Sequence, residues 1–258
     1  MTLPEGSLLL CAAVVGGAIN SVAGGGSFIC FPALLFTGMP PVNANATNTV
    51  ALWPGTVASV GAYRGEFRRQ GARQVVPLVI TGICGGVLGA AILLRTPQLT
   101  FLHMVPWLLA SATILFAVSP RVSAWVRRRG SAGEDSMRVA SVGAALVQLF
   151  IAAYIGFFGA GAGILLLALF ALMGMESIHT MNAYKTMLTS ICNGVAIVVF
   201  LAARAVWWRE AAVMLLGASL GGYFGAYYAQ KTNPAKVRLL VIVIGAALSM
   251  YFFAKQYL

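Results

Sequence analysis

The run Gly24-Gly25-Gly26-Ser27-Phe28-Ile29-Cys30-Phe31-Pro32-Ala33-Leu34-Leu35 decides the architecture. Three glycines stand directly before an apolar segment, residues 27–38. That segment is too short to cross a hydrocarbon core, which takes about 20 residues. The pattern returns once. Gly159-Ala160-Gly161-Ala162-Gly163 leads into a second short apolar segment, residues 163–175. Each reads as a half-helix that begins inside the membrane after a glycine break.

Eight further apolar segments surround these two: 7–23, 44–63, 74–94, 101–119, 138–158, 180–204, 209–230 and 235–254. Several are long enough to span. None shows the alternation of a barrel strand. The expected fold is an all-α polytopic membrane protein. Composition agrees. Of 258 residues, 60% are hydrophobic and 9% charged, against roughly 25% charged in a soluble domain, and mean hydropathy is +0.88. A soluble globule would lack charge for its surface, and a disordered chain would not carry so much apolar side chain. Cys11, Cys30, Cys84 and Cys192 all lie in apolar segments without metal-ligand spacing, so they read as small packing residues. The start of the chain lacks a basic n-region, so residues 7–23 read as the first membrane segment and not as a cleaved signal.

The chain repeats itself. An offset of 137 carries Gly24 onto Gly161, Gly26 onto Gly163, Asn45-Ala46 onto Asn182-Ala183 and Thr49 onto Thr186. An offset of 136 carries Gly85, Gly86 and Gly89 onto Gly221, Gly222 and Gly225. Residues 1–119 are therefore expected to form one transmembrane repeat and 138–258 a second, with 120–137 a cytoplasmic linker. Five segments per half is an odd number, so the two repeats should be inverted. Net charge is +11, and its placement sets orientation rather than pointing to nucleic acid. Loops 64–73, 119–138 and 231–238 hold twelve of the 17 basic residues, which places them in the cytoplasm and both termini outside. A four-plus-four parallel arrangement would give the same count. Segment length favours five passes: one helix over residues 7–38 would be far longer than the bilayer is thick.

Lys185 is the one basic residue within an apolar span. A buried ammonium marks a pathway or an ion site. Asn182, Lys185, Thr186, Thr189 and Asn193 share one helical face, and the first half offers Asn45, Asn48, Thr49 and Thr56 on the matching face. The six acidic residues, Glu5, Glu66, Glu134, Asp135, Glu176 and Glu210, fall in loops or at segment ends. An anion is thus a better substrate than a cation. His103 and His179 lie near segment ends and read as structural. No nucleotide-binding loop, zincin motif or nucleophile elbow occurs, so no enzyme, catalytic residue, metal or cofactor is expected.

These residues resemble the TauE/SafE family of membrane transporters, the toluene-sulfonate uptake permease group, through Gly24 to Leu35 followed by Asn45-Ala46-Thr47-Asn48-Thr49 and through the related units of the second half. The likeness covers nearly the whole chain. It departs from symmetry at Pro32, whose counterpart is Leu169. The resemblance implies transport of sulfur-containing anions such as sulfite, organosulfonates or sulfoacetate, often outward. The expected site then has Gly24, Gly25, Gly26 and Ser27 at one helix start and Gly161 and Gly163 at the other. Lys185 would supply charge, and Asn45, Asn48, Thr49, Asn182 and Thr186 would orient the substrate. The expected partners are a small anion and the lipid bilayer of the inner membrane, with homo-oligomerisation left open. A transition-metal or other cation permease, and a membrane assembly protein that transports nothing, are the competing classes.

Overall fold

The computed structural model describes residues 1–23, 25–62, 72–129, 142–175, 177–229 and 234–257. Among these it contains ten helices and no strand. In chain order they are α1 (Leu3–Ala23), α2 (Ser27–Phe36), α3 (Pro41–Ala62), α4 (Ala72–Arg95), α5 (Gln98–Arg129), α6 (Val142–Phe157), α7 (Ala162–Leu172), α8 (Ile178–Ala202), α9 (Trp208–Ala229) and α10 (Pro234–Tyr257). Each expected segment corresponds to one helix. Most ends fall within a few residues of expectation, and α5 departs most. It runs through Pro120 to Arg129, ten residues into the stretch read as linker. Among the described residues, five helices are long and apolar enough to span a membrane: α1, α4, α5, α8 and α10. The short helices α2 and α7 have 10 and 11 residues, a reach of about 15–17 Å at 1.5 Å per residue.

Two helix pairs dominate the packing, α1 against α9 and α4 against α6. Glycine makes both possible. A Cβ on Gly221 would collide with the Val14 carbonyl, and one on Gly217 would meet Ala13. In the other pair, a Cβ on Gly89 would collide with the Ala153 carbonyl, and one on Gly85 with Ala152. Of the glycines that repeat at an offset of 136, Gly85, Gly89, Gly221 and Gly225 thus share one task, close contact with the first helix of the opposite half, whereas Gly86 abuts Cys192 of α8 and a Cβ on Gly222 would meet only the Gly17 oxygen at 3.9 Å. Several of the remaining contacts follow the same exchange. Matching α1–α5 in order with α6–α10 turns α3·α9 into α8·α4 and α2·α10 into α7·α5, and leaves α3·α8 and α5·α10 paired with themselves.

Helices α3 and α8 run antiparallel. Near the start of α3, Asn43 Nδ2 donates to Ala205 O at 2.8 Å and Thr47 Oγ1 accepts from Trp207 N at 3.1 Å. Those partners lie just beyond the end of α8. Further along α3, Trp53 Nε1 donates to Ser190 O, inside α8, at 2.9 Å. Residues 53 and 190 are themselves related by the 137-residue offset, so the two helices cross at equivalent positions. Buried aromatic rings fill the space outward of this crossing, with Phe31 edge-on to both Phe101 and Phe158. At the far end, His103, Trp107 and Tyr257 form an exposed cluster in which Tyr257 OH donates to His103 O at 3.0 Å. His103 Nδ1 lies 2.7 Å from Leu99 O in the preceding turn, which accounts for it as an end-of-helix residue.

Candidate functional site

The two glycine breaks are built differently. At the second, Gly159 and Gly161 have φ of 75° and 76°, left-handed geometry that favours glycine. Tyr154 OH donates to Ala160 O at 2.7 Å and holds this turn. At the first, Gly26 is α-helical and sits against the Gly16 carbonyl of α1, where a Cβ would lie 2.7 Å from the oxygen. Several helix-start donors are engaged within their own turns. Phe28 N bonds Gly25 O, Ile29 N and Cys30 N bond Gly26 O, Ala162 N bonds Gly159 O and Ile164 N bonds Gly161 O. Side chains, rather than these backbone groups, therefore define the chemistry.

A cavity of about 90 Å³ lies where the halves meet. From the first half it is lined by Asn20 of α1, Gly25, Ser27 and Phe28 at the start of α2, and Asn48, Thr49, Leu52, Trp53 and Thr56 of α3. From the second half it takes Phe158, Gly159 and Ala160 of the glycine turn and Thr189 and Asn193 of α8. Both glycine breaks and both polar helix faces thus contribute. No carboxylate is among the lining residues.

Asn48 is the pivotal group. It is 3% exposed, its Nδ2 donates to Ser27 Oγ at 3.1 Å, and its Oδ1 has no partner. An unsatisfied buried amide costs about 1–3 kcal/mol, so the position favours occupancy by a polar ligand. A hydroxyl both donates and accepts. Ser27 can therefore hold either end of the amide, and a half-turn of Asn48 would present its NH2 to the cavity. Thr49 lines the cavity, yet its hydroxyl donates to Asn45 O at 2.8 Å and has no proton left for an anion. Asn193 and Thr189 complete the donor set.

Of the other residues expected at the site, Gly24 lies outside the described residues. Asn45 is buried and braces the second-half turn, donating from Nδ2 to Phe157 O at 2.9 Å. Gly161 packs beside Leu115 and Ala112 of α5. Gly163, Asn182, Lys185 and Thr186 lie outside the cavity lining. Lys185 Nζ donates to Asn182 Oδ1 at 2.8 Å, and its stem crosses Gly163, whose Cβ position is 3.2 Å from Lys185 Cδ. The expected single constellation is thus divided between a neutral cavity and a separate cationic cluster. Sequence reasoning missed Asn20 and Trp53. No sequence signal singled out Trp53, since every residue of the first half has a counterpart at the same offset.

The helical bundle, its glycine-broken half-helices and an internal polar cavity define a multi-pass membrane protein. The profile described as Sulfite exporter TauE/SafE matches residues 8–252. The chain belongs to this family and is a membrane transporter of the TauE/SafE type. It is 28% identical to a "Probable membrane transporter protein" of Haemophilus influenzae, over 92% of this chain and 90% of the relative. It is 27% identical to "Probable membrane transporter protein ORF9" of a Sinorhizobium species, over 96% and 92%. To "Probable membrane transporter protein YfcA" of Escherichia coli K12 it is 25% identical, over 94% and 87%. No solved structure matches the chain.

Proposed function

We propose that this protein exports a small sulfur-containing oxyanion, such as sulfite, a small organosulfonate or sulfoacetate, across the inner membrane by alternating access between two inverted five-helix repeats. The observation that carries the reading is the cavity shared by both halves, with Asn48 incompletely bonded among neutral hydroxyl and amide groups. Its size suits an ion of a few heavy atoms or a few waters. Neutral hydrogen-bond donors can hold an anion in a low-dielectric setting without trapping it. The family description, Sulfite exporter, points to the same substrate class.

The antiparallel run of α3 and α8 supports inversion, since equivalent helices of parallel repeats would point the same way. Close packing of each half on the first helix of the other supports rocking of one repeat against its partner. With a negative interior, an anion leaves downhill by about 2.3 kcal/mol per charge per 100 mV, so export needs no coupled cation.

The test is sulfite flux from proteoliposomes under an imposed potential. Efflux should quicken when the interior is made more negative. Flux that ignores the potential would overturn uniport. Thermal stabilisation by transition-metal ions, with none by sulfite, taurine or sulfoacetate, would overturn the substrate class.

A further inference from the structure

We infer that Lys185, Asn182 and Thr186, over Gly163, form a second anion subsite, distinct from the cavity and placed on the cytoplasmic side of the α3–α8 crossing. The inference rests on the export reading and its orientation.

Geometry separates the two places. The helices cross at Trp53 and Ser190. Asn48 stands five residues before Trp53, and Lys185 five residues before Ser190. Because α3 and α8 are antiparallel, these positions fall on opposite sides of the crossing, about 15 Å apart along the helices at 1.5 Å per residue. Trp53 lies at the level between them and lines the cavity, which reaches as far as Thr56 and Thr189 on the Lys185 side. Its indole N–H is held by the Ser190 carbonyl, and its ring covers Gly194, whose Cβ position is 3.1 Å from Cζ2.

The repeat gives the two places the same frame and unlike chemistry. Asn45, Asn48 and Thr49 correspond to Asn182, Lys185 and Thr186. In the first half the central residue is a neutral amide, held by a serine. In the second it is an ammonium, which donates to the neutral amide oxygen of Asn182. Among the described residues no carboxylate pairs with it. An ammonium inside a membrane span calls for a counter-charge, and two of its three N–H donors are left for one. The glycine at 163 lets the aliphatic stem lie against α7, and Nζ reaches back to Asn182 one turn earlier on α8.

The order of events follows. An oxyanion entering from the cytoplasm meets the charged subsite first and is captured there. When the repeats rock, Trp53 yields and the ion passes to the neutral cavity, where no cation detains it before release. A single cationic site would bind well and release slowly. A single neutral site would compete poorly for an anion on the negative side of the membrane.

The experiment places single cysteines, Thr49→Cys and Thr186→Cys, which leave Asn48 and Lys185 in place, in a chain with Cys11, Cys30, Cys84 and Cys192 replaced by alanine, in membrane vesicles of known orientation. A membrane-impermeant thiol reagent is the probe and sulfite the protecting ion. Thr186→Cys should be labelled from the cytoplasmic face, and sulfite should slow labelling at both positions. At ten times the dissociation constant the slowing should be about tenfold, as mass action gives. Thr56→Cys of the cavity lining and Asn182→Cys stand in for a variant that does not fold. Protection at the cavity position without protection at 186 or 182 would overturn the second subsite and leave the substrate reading intact. Labelling of residue 186 only from the outer face would overturn its placement. Sulfite protection at neither position would overturn the substrate reading, and the second subsite with it.

Discussion

At Asn48 one amide group bonds Ser27 through Nδ2 and leaves its buried Oδ1 without a partner, in a residue that lines the cavity. Replacing it with alanine removes the group that an oxyanion would meet deepest in the site. Sulfite affinity measured by calorimetry should fall about 10–100-fold, the range for losing a hydrogen bond to a charged ligand. Thr49→Val makes the contrast, because the Thr49 hydroxyl already donates to Asn45 O; its affinity should stay within about twofold. Equal losses in the two variants would mean that shape and not donor chemistry holds the ion. These residue types and their helical spacing were legible in the sequence. Their division was not. Asn45, Asn48, Thr49, Asn182, Lys185 and Thr186 read as one polar set because periodicity gives the face of a helix, not the level at which two helices cross. That level is fixed by Trp53 meeting Ser190, a contact between residues far apart in the chain.

Among the helices, small residues decide what fits. Gly221 and Gly222 are neighbours in α9 with opposite surroundings. A Cβ on Gly221 would enter the Val14 carbonyl, whereas one on Gly222 meets only the Gly17 oxygen at 3.9 Å. Gly221→Ala should therefore destabilise by about 1–3 kcal/mol through overpacking, read as a lower thermal unfolding midpoint in detergent. Gly222→Ala should leave the midpoint unchanged or raise it, because alanine favours the helix. If both variants melt alike, the α1–α9 contact does not set stability. The short helices and their glycine starts were legible because length and composition alone expose them. The engaged donors at Phe28, Ile29, Ala162 and Ile164 were not, since a glycine run announces a turn without saying which carbonyl each N–H will find. The extension of α5 was hidden for a related reason. Pro120 and the arginines after it read as a linker, yet a proline removes only one backbone donor, and basic residues suit the end of a helix.

For the whole molecule, the decisive question is how many times each half crosses the bilayer. Segment length favoured five passes, while the charge count fitted four as well. We propose five, a reading that the directions of the helices support. Four passes per half would set the second repeat upright relative to the first, and α3 and α8 would be parallel. Asn43 and Thr47 meeting residues beyond the end of α8, while Trp53 meets its middle, makes them antiparallel. The other pairs agree. Contacts of α1 with α9 advance in step, with Ala13 near Gly217 and Ala18 near Gly225, so these helices are parallel. Five alternating passes per half demand that, with the first helix of one half and the fourth of the other pointing the same way. An odd count in each half puts both termini on one side and the segment between the repeats on the other. We propose, from the basic loops, that this segment lies in the cytoplasm. A periplasm-dependent phosphatase fused after Tyr257 should therefore be active, and the same enzyme inserted within residues 130–141 should be inactive, with a cytoplasm-dependent fluorescent protein giving the reverse at both places. Phosphatase activity at both places, or at neither, would require an even number of crossings after the linker and would return the four-pass arrangement to consideration.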